Sequence, residues 1–145
     1  MNNNKKIINE LLVNIFNHIL SVEQKALKRE GVSLSMTEVH VLDAIKDSAC
    51  ATMSSVAKRL RITLGTLTTS INVLVKKEFV NRIKDIKDRR KIHLGLTQKA
   101  EKVLEIHHKF HEEMVDSLFF EMKIDQDEVL MRALANISEY FKSKY

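Results

Sequence analysis

Four threonines, Thr63, Thr66, Thr68 and Thr69, crowd one short stretch together with Gly65 and Asn72. At helical spacing, Leu64, Leu67, Ile71 and Leu74 fall on one side and must pack. Gly65, Thr66, Thr69, Asn72, Val73 and Lys76 fall on the other. That second face is small, hydrogen-bonding and unobstructed at Gly65. Threonine can meet thymine methyls and base edges, and asparagine can pair with adenine. The start of the helix, capped by Thr63, also favours a phosphate. A merely solvated face would carry Glu, Lys and Gln, which form helix better than Thr. The chemistry indicated is double-stranded DNA read from the major groove.

A second cluster is Lys87-Asp88-Arg89-Arg90-Lys91, with Arg82 shortly before it. A guanidinium on a slim ribbon can enter a narrow, A·T-rich minor groove, where the negative potential is high. Asp88 beside two arginines makes sense if it pairs one and orients the tip while the other points outward. An ordinary charged turn is the alternative. The candidate DNA contacts are therefore Thr63, Gly65, Thr66, Thr69, Asn72, Lys76, Arg82, Lys87, Asp88, Arg89 and Arg90.

His107 and His111 stand four residues apart on one helical face, a spacing that can chelate zinc. Packing, or lining an apolar pocket, is the plainer role for them, and no metal site is assigned. The single cysteine, Cys50, excludes an internal disulfide and fits a reducing cytoplasm. Flanked by Ala49 and Ala51, it reads as a buried structural thiol. There is no nucleophile elbow, no Gly-rich phosphate loop and no credible carboxylate pair, so the chain is not read as an enzyme.

These groups need elements to hold them. Apolar residues from Ile7 to Leu20 recur at helical spacing and predict a helix over roughly 5–29, closed by Gly31. Ser35 and Glu38 form a capping box for a helix carrying Val39, Leu42 and Ile45. Thr52–Ser55 opens a short helix, Ser55 to Leu60, and Thr63 caps the next, to about Glu78. The pattern then alternates with period two over 79–84 and 92–96, a hairpin with a charged tip. Thr97 caps a helix to about Met122, and Asp125 caps a last one carrying Val129, Leu134 and Phe141. The fold expected is mostly α with a small β-hairpin wing: a winged helix-turn-helix. The long outer helices have apolar stripes with little to cover them in so small a chain. Dimerisation through the N- and C-terminal helices answers this, and an intramolecular bundle is the alternative.

The 145 residues suffice for one domain, with the DNA-binding part over about 35–97 and dimerisation helices over about 5–30 and 98–143. There is no proline and only three glycines, as in a largely helical chain. The net charge of +5 suits a polyanionic partner, and Lys and Arg crowd between Lys76 and Lys91. No apolar run is long enough to span a membrane and no secretory signal is visible, so a cytoplasmic location without membrane contact is expected.

The run Asp88-Arg89-Arg90-Lys91-Ile92-His93-Leu94-Gly95-Leu96-Thr97 resembles the wing signature of the MarR family, Asp-x-Arg followed by alternating apolar residues and Leu-Thr. The order of elements resembles that family over essentially the whole chain. The resemblance implies a winged-helix homodimer on a pseudo-palindromic operator, with Asp88 paired to Arg90 and Arg89 in the minor groove. The Thr63–Asn72 stretch and His107-x-x-Phe110-His111-x-x-Met114-Val115 further resemble the branch of the family that represses fatty-acid biosynthesis genes. That likeness implies long-chain acyl-acyl carrier protein as an effector that strengthens DNA binding, and no other cofactor. It implies an effector pocket formed by Ile15, Ile19, Met36, His40, His107, Phe110, His111 and Met114. A zinc- or small-molecule-responsive regulator of the same family is the alternative, with Glu23 or Glu38 as an acidic ligand beside the histidines. Two departures stand out. No basic residue lies near Ser70, and Glu78 occupies a position where relatives commonly carry glycine.

Overall fold

In the computed structural model, which describes residues 2–144, the helices start where side chains take up free N–H groups of the first turn. Helix α1 spans Asn3–Arg29 and α2 spans Met36–Lys46. The predicted capping box opens α2: Ser35 Oγ accepts the Glu38 N–H at 3.2 Å, and Glu38 Oε2 accepts the Ser35 N–H at 2.8 Å. Helix α3, Met53–Leu60, repeats the device with Thr52 and Ser55, whose side chains accept each other's N–H at 3.1 and 2.9 Å. This reciprocal cap starts α3 at Met53 rather than at Ser55. Helix α4, Leu64–Lys76, is capped by Thr63, whose Oγ1 accepts the Thr66 N–H at 3.1 Å.

Gly31 closes α1 as predicted, with φ +78 and a Val32 N–H donating back to the Leu27 carbonyl at 3.0 Å. The same turn ends α4 two residues earlier than predicted: the Phe79 N–H donates to the Leu74 carbonyl at 2.8 Å and Glu78 sits at φ 65. Glu78 thus holds the left-handed conformation that glycine adopts freely. Glu78→Gly is expected to stabilise the protein by about 1 kcal/mol, read as a higher midpoint in urea. A lowered midpoint would mean that the Glu78 side chain contributes more than its backbone costs.

Strand β1 (Val80–Lys84) pairs antiparallel with β2 (Ile92–Leu96), running from Val80 opposite Leu96 to Lys84 opposite Ile92. A bridge between Thr52 and His93, with the Leu94 N–H donating to the Ala51 carbonyl at 2.7 Å, fastens this wing to the segment entering α3. Leu67, Ile71 and Leu74 of α4 are fully buried with Leu42 of α2 and Val56 of α3. The apolar side of α4 is thereby fixed in the core, and its opposite face is left to solvent.

The chain forms two compact units, residues 1–108 and 109–145. The first holds the whole buried core. It also leaves Ile7, Ile8, Leu11, Leu12, Ile15 and Phe16 of α1 exposed. The second contains the end of α5 (Gln98–Glu121), a 3-10 turn over Ile124–Gln126 and α6 (Glu128–Lys144). The cap of α6 is Asp127, not Asp125: Asp127 Oδ1 accepts the N–H groups of Val129 and Leu130, both at 3.0 Å. Inserting the 3-10 turn shifts the helix start. No described residue of α6 is buried, and Val129, Leu134, Tyr140 and Phe141 are exposed. Apolar faces of this extent need cover. Among the described residues no helix is long and apolar enough to cross a membrane.

Candidate nucleic-acid interface

The outer face of α4 carries Gly65, Thr66, Thr69, Asn72, Val73 and Lys76, all exposed as the spacing requires. A Cβ added to Gly65 would meet only Thr63 Oγ1, at 4.0 Å, and the residue is not left-handed. Among the described residues nothing at this position requires glycine, and the absence of a side chain leaves this part of the α4 face open. Thr69 donates its hydroxyl to the Gly65 carbonyl at 3.2 Å, and Thr68 donates to that of Leu64 at 2.8 Å. With their protons committed to the backbone, these threonines can offer lone pairs and a methyl group. Thr63 is occupied by the cap, its Oγ1 lying 2.8 Å from Thr66 Oγ1. Leu64 departs from its predicted place in the core. It is 52% exposed and lines a cleft.

That cleft joins α4 to the wing. Its walls are Thr52, Met53 and Ser54 at the start of α3, Leu64, Thr68 and Asn72 of α4, and Arg82, Arg90, Lys91 and Ile92 of the hairpin. Three cations thus share one concavity with hydroxyl groups, the composition that positions a phosphate backbone. Thr52, Ser54, Thr68 and Lys91 were not among the contacts expected from sequence; Thr52 and Ser54 reach the cleft through the packing of α3, and Thr68 and Lys91 line it from α4 and the hairpin. Arg82 and Asn72 do meet, with Arg82 Nη2 donating to Asn72 Oδ1 at 2.5 Å.

The wing tip is braced differently from expectation. Asp88 Oδ1 accepts the backbone N–H of Arg90 at 3.0 Å, and Asp88 makes no ion pair with the Arg90 guanidinium among the described residues. The main brace is Asp85, which the sequence reading passed over. Its Oδ1 accepts the N–H groups of Lys87 and Asp88 at 2.7 and 3.0 Å, and its Oδ2 lies 2.7 Å from His93 Nε2. An Asp accepting from the amides two and three residues on is a turn signal legible in sequence; its cross-strand histidine is not. Arg89 and Arg90 are exposed, and neither forms an ion pair among the described residues. Lys87 is exposed too.

The hydrogen bond from His93, then the Asp88 and Lys87 amides, hold the Asp85 carboxyl at about 2. A depressed carboxylate stabilises the folded wing above its ordinary value of 3.8, and the effect is lost as pH falls toward 2. The Asp85 carboxyl resonance is therefore expected to titrate near 2, and faster amide exchange at Lys87 and Asp88 should follow Asp85→Ala. Titration near 3.8 with unchanged exchange would remove the brace. His93 also links to Cys50, whose Sγ lies 3.7 Å from Nδ1. Cys50 is exposed, contrary to the buried thiol expected, because its loop runs over the surface beside the wing.

The expected effector residues are distributed as follows. In the first unit Ile15 is exposed, Ile19, Met36 and His40 are half-buried, and His107 is buried. His40 stands edge-on to His107, with ring centroids 5.9 Å apart. In the second unit Phe110, His111 and Met114 are half-buried, and the Phe110 and His111 rings lie 5.5 Å apart. Glu23, one of the two acidic candidates beside the histidines, is only 1% exposed, and its carboxylate meets His107 Nδ1. Asp43 Oδ1 lies 2.7 Å from His108 Nε2, and Asp43 Oδ2 lies 3.8 Å from His107 Nε2. Buried charge is tolerated when paired in this way. Glu38, the other acidic candidate, is committed to the α2 cap and to Lys77, 3.1 Å away.

Comparison with known proteins places these features in context. The family model for the MarR family matches residues 34–92. The crystal structure of Streptococcus pneumoniae FabT in complex with DNA superposes with a TM-score of 0.87 at 33% identity, covering 97% of this chain and 99% of that one. The HTH-type transcriptional regulator PchR of Bacillus subtilis (strain 168) is 25% identical over 77 residues, 53% of this chain and 46% of PchR. The chain thus matches about half the length of that relative. YpoP, an uncharacterized HTH-type transcriptional regulator of the same organism, is 28% identical over 109 residues, 75% of this chain and 73% of YpoP.

Proposed function

The chain belongs to the MarR family of DNA-binding transcriptional regulators, and from that premise we propose that it is a repressor of fatty-acid biosynthesis genes. It acts as a homodimer on a pseudo-palindromic operator, and long-chain acyl-acyl carrier protein tightens its grip. The observation that carries the DNA reading is the exposed Gly65–Thr66–Thr69–Asn72 face of α4, whose Asn72 also lines a cleft shared with Arg82, Arg90 and Lys91. Support for the fatty-acid branch is the likeness to FabT along the full length of both chains. The exposed apolar faces of α1 and α6 supply the surfaces that a dimer would bury.

A second reading, a zinc-responsive regulator, draws on one specific observation. Glu23, Asp43, His107 and His108 converge within the first unit, and histidine with carboxylate is an ordinary zinc ligand set. A gel-shift titration decides between the two. Long-chain acyl-acyl carrier protein is expected to tighten operator binding more than zinc does. A response to zinc with none to the acylated carrier would replace the first reading by the second.

A further inference from the structure

The wing tip is built of two successive turns. Asp85 Oδ1 accepts the N–H groups of Lys87 and Asp88, so Ile86 and Lys87 stand at the corners of the first. The Lys91 N–H donates to the Asp88 carbonyl at 3.0 Å, so Arg89 and Arg90 stand at the corners of the second. Three of these four corners are cations, and all four are exposed. The fourth is Ile86, 100% exposed and the most exposed large apolar side chain among the described residues. One isoleucine on a surface is ordinary. This one shares the apex of a hairpin with positive charges that suit a DNA backbone. Its backbone is held by the Asp85 bonds and its β-branched side chain has few rotamers, so little freedom is lost when it makes a contact.

We propose that Ile86 is an apolar minor-groove contact that favours A·T base pairs beside the half-site. This rests on the DNA reading of the wing given above. A tip carried into the minor groove by its cations takes Ile86 with it. The walls there are the C–H faces of the sugars, and apolar side chains, isoleucine included, recur in that groove in other DNA-binding proteins. The floor decides the preference. A·T and T·A pairs present only acceptors, whereas guanine adds its protruding N2 amino group. Packed against that amino group, an isoleucine would bury a donor with no acceptor to meet it. Lys87, Arg89 and Arg90 supply an attraction that senses phosphate charge, and Ile86 adds a contact that senses the groove floor.

The test is fluorescence anisotropy on the duplex selected by the full-length wild-type protein, with either A·T or G·C pairs flanking the half-sites. Ile86→Ser and Arg89→Ala are compared with wild type over a range of salt. Ile86→Ser is expected to bind the A·T-flanked duplex about tenfold more weakly. Its slope of log affinity against log salt should equal that of wild type, because an uncharged group releases no counterion. Its discrimination between the two flanks should shrink. The midpoint in urea should be unchanged, since serine suits a turn and Ile86 buries nothing in the free protein. Undiminished affinity, or a loss shared equally by the two flanks, would overturn the proposal, while a smaller salt slope in Arg89→Ala would keep the wing at the DNA. No change of affinity or slope in either variant would remove the wing from the interface and the proposal with it.

Discussion

Gly65→Gln is expected to leave the fold intact and to cut operator affinity by about 30-fold or more. Gly65 lies in the first turn of α4, where a Cβ has open space and glutamine is the better helix former. Stability in urea should therefore be unchanged or slightly raised. Against DNA the same side chain would stand between α4 and the base edges. It would hold back Thr66, Thr69 and Asn72 together, so several contacts are lost through one substitution. The effect should fall on specific binding and spare the weak attraction to unrelated duplexes, which rests on phosphate contacts. Fluorescence anisotropy with operator and with scrambled duplex separates the two. Undiminished operator affinity would mean that α4 does not approach the bases at its N-terminal end.

Arg89→Ala should behave in the opposite way. Arg89 is an exposed cation at the tip of a hairpin whose turn is held by Asp85 and Asp88 rather than by Arg89 itself. Its removal leaves the brace in place and takes away one charge per protomer from the DNA. Affinity should drop about tenfold at moderate salt, and the slope of log affinity against log salt should shrink by about one per protomer. The loss should be shared by operator and scrambled duplexes if the contact is to phosphate, and confined to A·T-flanked operators if it is to the minor groove. An unchanged salt slope would remove the wing tip from the interface.

Much of the fold and of the candidate interface was legible in the sequence because its signals are local. Capping boxes, the glycine after α1, the alternation of the wing strands and the Thr-rich face each depend on neighbours a few residues away. Departures arose where a distant residue decides the outcome. Leu64 has helical spacing for the core, yet it lies at the first turn of α4, where the wing leaves a cleft in place of packing. Glu78 adopts a glycine-like turn because the Phe79 side chain must enter the core directly after α4. Asp85 reads as one more charge in a charged hairpin until the partner strand brings the His93 side chain to its carboxylate. Glu23 is legible as an acidic neighbour of the histidines, but its burial against His107 follows only from the approach of α5. The pairing of Arg82 with Asn72 is of the same kind, since it joins a strand to a helix through the turn between them.

The central claim is that two copies of this chain present α4 to successive major grooves of one duplex. Selection from a randomised duplex pool by the purified full-length protein tests it most directly. The expected result is enrichment of an inverted repeat whose half-site centres lie about one helical turn, roughly ten base pairs, apart. Recovery of an unrepeated site bound by a single protomer, or of no sequence above the starting pool, would contradict it.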